Sequence, residues 1–88
     1  MQFSCSLPID DIGDDGFLSI EGISQMAQAI EQAGLDAAFV TDHPAPSQRW
    51  LEHGGHATLD PFVALSIVAA ATKRLRLHTH ILVLAYRN

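Results

Sequence analysis

The chain has 88 residues, 48% of them hydrophobic, and a net charge of −5 at pH 7. This composition is typical of a globular domain with one small core and excludes an intrinsically disordered chain. The acidic balance lacks a basic stripe for nucleic acid, and no apolar run is long enough to cross a membrane. The single cysteine, Cys5, excludes an internal disulfide and suits a cytoplasmic protein.

The first predicted elements are a strand and a helix. Apolar residues alternate with small or polar ones from Phe3 to Ile9, which predicts a strand that ends at Pro8 and the acidic turn 10–16. Apolar residues then recur at helical spacing from Ile23 to Ile30. This spacing predicts an amphipathic helix with Gly34 as its C-cap.

A second strand is predicted at Leu35–Thr41, because its residues are nearly all apolar, as in a buried parallel strand. It ends in Asp42 and His43 and opens into a long loop, residues 44–59. Such loops are uncommon unless they are functional or disordered, and Trp50 argues against disorder. A strand that ends in titratable residues before a long loop is typical of an α/β-barrel active site.

The second half of the chain predicts another helix and another strand. Asp60 is the predicted N-cap and Pro61 the first residue of a helix that extends to Lys73-Arg74. A third strand is predicted at Leu75–Leu84. The order βαβαβ predicts an α/β fold of parallel strands with right-handed crossovers. Because this helix is apolar nearly all round and the sheet edges are bare, residues 1–88 are predicted to be the N-terminal part of a larger α/β barrel.

Four runs carry a resemblance to a known family: VTDHPAP at residues 40–46, GGH at 54–56, LDPFVAL at 59–65, and the stretch 74–88. With Trp50 between the first two, they resemble the luciferase-like monooxygenase superfamily, and within it the deazaflavin-dependent oxidoreductases of actinobacteria. The resemblance implies a (β/α)₈ barrel that binds a flavin or deazaflavin at its C-terminal mouth. We expect the intact parent to be a homo-oligomer.

The resemblance also implies roles for site residues. His43 would be the catalytic acid or base, and Asp42 would face the cofactor ring. Thr79, His80 and Ile81 would hold the ring through a bulge, which relatives often build with a non-prolyl cis peptide before the position of Ile81. From the residues alone, His43 is placed to move protons near neutral pH or merely to cap the strand. Asp42 could equally form an Asx-type turn.

The long loop supplies the candidate substrate-binding residues, Trp50 and His56. A loop aromatic can form the wall of a pocket, and a loop histidine can donate to a substrate oxygen. The alternative for Trp50 is that it packs the loop onto the barrel. Gly54 and Gly55 would allow a sharp turn or a close approach to a ligand.

A rival interpretation rests on His78 and His80, which point to the same face of a strand. With His43 they could form the three-histidine metal site of a barrel hydrolase. No carboxylate follows them in the chain to complete such a site, so no metal is expected.

The expected function is hydride transfer between coenzyme F420, a deazaflavin, and a small organic substrate. The alternatives are a luciferase-like monooxygenase that uses flavin mononucleotide (FMN), a metal-dependent hydrolase, and an inactive fragment. Because the cofactor phosphate normally sits at the last strands of such barrels, the chain alone is expected to be inactive.

Overall fold

The structure, a computed structural model, describes residues 1–9 and 17–87. Within them, three parallel strands form one sheet in the order β1-β2-β3: β1 is Ser4–Ser6, β2 is Ala37–Val40 and β3 is Arg76–Thr79. Helix α1 (Ile20–Gln32) connects β1 to β2, and helices α2 (Gln48–Glu52) and α3 (Pro61–Ala71) lie between β2 and β3. A short 3₁₀ helix, Leu84–Tyr86, follows β3. The predicted parallel α/β fold is confirmed and is consistent with part of a (β/α)₈ barrel, whereas the predicted turn 10–16 lies outside the described residues.

Helix α1 begins and ends at local signals in the sequence. The Ser19 hydroxyl accepts a hydrogen bond from the Gly22 N–H at 2.9 Å, which caps the first turn. The helix ends at the C-cap Ala33, and Gly34 follows with a φ of +85°. The predicted C-cap was therefore one residue late, since the left-handed glycine stands just beyond the cap. The buried residues of α1 are those of the predicted stripe: Ile23, Ala27 and Ile30.

Helix α3 begins where the sequence predicts but ends at Ala71, three residues before the predicted end at Arg74. Asp60 Oδ1 accepts from the N–H groups of Phe62 at 2.9 Å and Val63 at 3.2 Å, with Pro61 at the first helical position. The helix ends at Ala71 because the next residue, Thr72, is extended. The two cations at residues 73–74 therefore lie beyond the last turn of the helix, not within it as the sequence predicted.

The turn from α3 into β3 is held by Glu31 of α1. Its carboxylate accepts from three successive N–H groups, those of Lys73 at 3.1 Å, Arg74 at 2.9 Å and Leu75 at 2.9 Å. These donors, that of Arg74 above all, hold the pKa of Glu31 below its usual value. A side chain from another helix thus directs the chain out of α3 and into the sheet.

The hydrophobic core lies between the sheet and the two long helices. Helices α1 and α3 contact each other and β2, as two crossovers of the same hand in a 1-2-3 sheet require. The fully buried core side chains include Ala27, Ala38, Val40, Ala64 and Val68. Helix α3 is apolar nearly all round, as predicted, and its Phe62 and Val63 are half exposed. Among the described helices, none has the length and hydrophobicity needed to cross a bilayer.

The sheet face opposite the helices carries aromatic and basic side chains. Phe39 pairs with His78 in the β2–β3 register, and its ring lies 5.4 Å from the His78 ring and 4.9 Å from the His80 ring. Strand alternation puts Arg76 on this face too, as the sequence predicts. In a closed barrel this face would point to the interior.

Strand β3 is shorter than predicted. It ends at Thr79, and the last bond that continues its ladder joins the His80 N–H to the Val40 carbonyl at 2.8 Å. The chain then leaves the sheet, because the Val83 N–H donates to the Asp42 carboxylate at 2.9 Å instead of to a strand. The prediction that the strand continues to Leu84 is therefore wrong, and Ile81, beyond the strand, is 52% exposed.

Candidate functional site

The loop after β2 brings together three of the residues that the sequence singles out. The ring of His43 lies 5.0 Å from that of Trp50 and 4.8 Å from that of His56, and Trp50 and His56 are 5.4 Å apart. The His43 and His56 rings are nearly perpendicular, at 88°. We call these three side chains the aromatic cluster. It lies at the carboxyl end of β2, where the sequence predicts a site.

Short-range structure in the loop positions the indole of the aromatic cluster. The loop is not structureless, because helix α2 forms within it and the Ser47 hydroxyl caps that helix through the Trp50 N–H at 3.2 Å. Gly54 has a φ of +87° and makes the turn out of α2. The Gly55 N–H donates to the Trp50 carbonyl at 2.8 Å. The sharp turn that the glycine pair predicts is present, and Gly55 lies against Trp50. A close approach to a ligand stays a prediction.

His43 is fixed by its backbone while its ring stays partly open. Its N–H donates to the Thr58 hydroxyl at 3.0 Å, which ties the start of the loop to its end. The His43 and His56 rings are half-buried, and Trp50 is 39% exposed. A histidine held in this way can exchange protons with a bound substrate without losing its place.

Asp42 immediately precedes His43 in the chain and is buried, with 2% of its surface exposed. Its Oδ2 accepts from the Val83 N–H at 2.9 Å and from Arg87 Nη2 at 2.9 Å. Arg87 Nη1 also donates to Asp60 Oδ2 at 2.7 Å. We call Asp42, Asp60 and Arg87 the arginine clamp. The role of Asp42 toward a cofactor ring stays a prediction, and the structure adds that two donors already use one of its oxygens.

The charges of the clamp stabilise one another. The hydrogen bond from Arg87 lowers the pKa of Asp60, which the N–H groups of helix α3 lower further. The pKa of Arg87 is raised in turn, most by its hydrogen bond to Asp60 and next by its hydrogen bond to Asp42. The guanidinium also lies 4.9 Å from the centre of the Phe62 ring, a cation–π arrangement.

Arg87 is the residue that sequence reasoning missed. The available signal was its place in the segment after β3, while Asp42 follows β2. Because carboxyl ends of parallel strands meet at one edge of a sheet, a cation after one strand can reach an acid after its neighbour.

The end of β3 contributes one ring to the open face of the sheet. The His80 ring meets Phe39 edge to face at 88°. Thr79 pairs with Val40 in the ladder, and Ile81 lies beyond the strand. The described residues contain no cis peptide bond. The cis bond that the resemblance implied before Ile81 is therefore not present, and the chain leaves β3 through trans peptides.

The structure does not assemble the metal site of the rival interpretation. Within residues 1–9 and 17–87, no group of three or more histidine, cysteine, aspartate or glutamate side chains could hold a metal ion. His43 contacts the loop, whereas His78 and His80 contact Phe39 on the open face of the sheet.

The family model for luciferase-like monooxygenases matches residues 1–88, the whole chain. The chain belongs to the luciferase-like monooxygenase family. Comparisons with curated proteins and with solved structures return no significant match. Proteins of this family are in general oxidoreductases that bind a flavin or an F420-type cofactor.

The side chains at this edge of the sheet suit a flat tricyclic ring. The aromatic cluster and the Phe39–His80 pair offer ring faces and edges, and the histidines offer nitrogen donors or acceptors. In this luciferase-like domain such a ring would be held by packing and by a few directed hydrogen bonds, as is usual for cofactor pockets.

Proposed function

We propose that this luciferase-like domain belongs to an oxidoreductase that transfers a hydride between coenzyme F420 and a small organic substrate. The observation that carries the proposal is the aromatic cluster, in which His43 is anchored at the carboxyl end of β2 between Trp50 and His56. Active sites of (β/α)₈ barrels are built at this end of the strands. The proposal covers a complete barrel, of which residues 1–88 supply the first three strands.

In this proposal His43 handles the proton that accompanies the hydride. The chemistry that a reduced deazaflavin would supply, when bound, is hydride donation to a substrate carbon. His43 then gives a proton to the neighbouring substrate heteroatom, or takes one in the reverse direction. Its backbone bond to Thr58 keeps the ring in place, and Trp50 and His56 form walls that orient the substrate. General acid–base catalysis of this kind contributes about 10²–10⁴-fold to the rate.

The cofactor ring would lie at the carboxyl end of the open sheet face, at the mouth of the barrel. His80 presents its ring there beside Phe39, with Thr79 and Ile81 on either side of it in the chain. Asp42 would act at the rim of this surface. The support for a deazaflavin over FMN comes from the resemblance in the loop 42–56, since both cofactors share a tricyclic ring.

The cofactor is tested by titrating the intact protein with F420 and with FMN while following its tryptophan emission, to which Trp50 contributes. We expect quenching of its emission by the deazaflavin at micromolar concentration and much weaker binding of FMN. The opposite order would replace the proposal with an FMN-dependent monooxygenase. Bound zinc by elemental analysis, with no response to either cofactor, would support the hydrolase interpretation.

The catalytic role is tested by His43→Ala, with His53→Ala as the matched control. His53 lies in the same loop but outside the aromatic cluster, with its Nδ1 2.6 Å from the Arg49 carbonyl. We expect His43→Ala to lower kcat by about 10²–10⁴-fold with little change in cofactor affinity. His53→Ala should keep kcat. Near-normal turnover of His43→Ala at every pH would refute the assignment.

A further inference from the structure

We propose that Arg87 is a positioning residue for this site. By binding Asp42 and Asp60 at once, it holds the two ends of the loop that carries the aromatic cluster, and so sets the placement of the His43 ring. The geometry of the cluster and of the clamp carries this inference. Only its kinetic consequence rests on the proposed function.

The first step is the contact between Arg87 and Asp42. Asp42 is buried, and both donors to its Oδ2 come from the segment that follows β3, at Val83 and Arg87. Removing one partner of a buried ion pair leaves the other charge uncompensated, which strongly disfavours the original geometry. Without Arg87, the Val83 N–H is the one remaining donor to Asp42 Oδ2 among the described residues, and Asp42 is expected to shift. His43 shares a peptide unit with Asp42, so this shift would displace His43 despite the bond from its N–H to Thr58.

The second step is the contact between Arg87 and Asp60. Asp60 uses Oδ1 to cap helix α3 and Oδ2 to bind Arg87, so the guanidinium is tied to the start of that helix. The Arg87 Nε is buried and has no partner among the described residues, so the two Nη groups provide the hold. A planar fork can bind two carboxylates at once, whereas a lysine ammonium is a point charge.

The third step is the place of these contacts in the chain. Asp42 and Asp60 stand at the two ends of the loop that carries Trp50 and His56. Arg87 binds both ends, and a second link between them, from the His43 N–H to Thr58, lies just inside. The loop is thus closed at its base by two cross-links, one of them ionic. Without the ionic link, the two ends of the loop at Asp42 and Asp60 would no longer be held together by Arg87, and the side chains of the aromatic cluster could shift.

The emission of Trp50 tests this without cofactor or turnover, because residues 1–88 contain one tryptophan and its ring contacts both histidines. The intact protein is used, with any tryptophan outside residues 1–88 replaced by phenylalanine in every variant. We compare Arg87→Gln with Lys73→Gln, which removes the same charge beyond the far end of α3. Arg87→Gln should shift the emission to longer wavelength and raise quenching by acrylamide. Lys73→Gln should leave both at the wild-type values.

Two further variants keep the test decisive if Arg87→Gln fails to fold, as judged by far-ultraviolet circular dichroism. Arg87→Lys keeps the charge but not the fork, so it should restore the emission in part. Asp42→Asn should reproduce the effect of Arg87→Gln, and the double variant should go no further than either single one. Wild-type emission in folded Arg87→Gln, or in folded Arg87→Lys and Asp42→Asn, would overturn the proposal.

A kinetic measurement on the intact enzyme separates this inference from the proposed function. Arg87→Gln should lower kcat more than it raises the KM for the cofactor, because it displaces the proton donor His43 as well as Asp42 at the rim, and leaves the ring surface at His80 in place. A loss that falls wholly on cofactor KM would overturn the positioning role. If the wild-type protein binds neither cofactor, the proposed function fails, while the emission result still decides the role of Arg87.

Discussion

Replacing Gly55 by alanine should dislodge Trp50 from the aromatic cluster. A Cβ added at Gly55 would lie 2.6 Å from Trp50 Cε3 and 2.6 Å from the Trp50 carbonyl oxygen. The indole can rotate away, but the carbonyl cannot, because it accepts the Gly55 N–H at 2.8 Å and closes the turn after α2. Gly55→Ala must therefore disturb both the ring and the turn.

The cost follows from the contacts that would be lost. One backbone hydrogen bond contributes about 0.5–1.5 kcal/mol to stability. Each of the two ring contacts of Trp50, with His43 and with His56, adds about 0.5–1.5 kcal/mol if it behaves as an aromatic pair. Because Trp50 is 39% exposed, we take the low end of these ranges and expect Gly55→Ala to lower the free energy of unfolding by about 1–2 kcal/mol.

The assay combines urea unfolding with Trp50 emission, and the neighbouring glycine supplies the control. Gly54 has a φ of +87°, but a Cβ there would meet nothing within 4 Å. Gly54→Ala should therefore cost about 1 kcal/mol of backbone strain and leave the native emission unchanged. Equal emission spectra for wild-type protein and Gly55→Ala would refute the packing argument. So would a spectrum of Gly54→Ala that changes as much as that of Gly55→Ala.

Three further predictions concern the fold. Folding lowers the pKa of Glu31 from its ordinary 4.5, so its carboxylate stabilises the folded protein fully above that pH, and this contribution is lost as the pH falls through the lowered pKa. The urea midpoint of Glu31→Gln should therefore lie below that of the wild type at pH 7, and the two midpoints should converge in acid. Val68→Ala should lower the free energy of unfolding by about 2–3 kcal/mol, because Val68 is fully buried. Residues 1–88 expressed alone should self-associate, because Phe62 and Val63 leave apolar surface half exposed on α3. A monodisperse monomer in sedimentation velocity would contradict this.

Elements whose signals lie within a few residues could be read from the sequence. The start of α3 depends on Asp60 and the proline after it, which act on N–H groups two and three residues ahead. The stripe of α1 and the apolar run of β2 likewise follow from local periodicity. The aromatic cluster was also within reach, because a loop after β2 had to return to α3 and bring its rings near the strand end.

Tertiary structure decided the features that depend on residues far apart in the chain. The end of α3 was misjudged because Glu31, more than forty residues earlier, takes the N–H groups that another helical turn would have used. Strand β3 is short because Asp42 captures the Val83 N–H. Arg87 finds its two carboxylates 27 and 45 residues away. Spacing along the chain carries no record of such contacts, since only packing of the parallel strands brings their carboxyl ends to one edge.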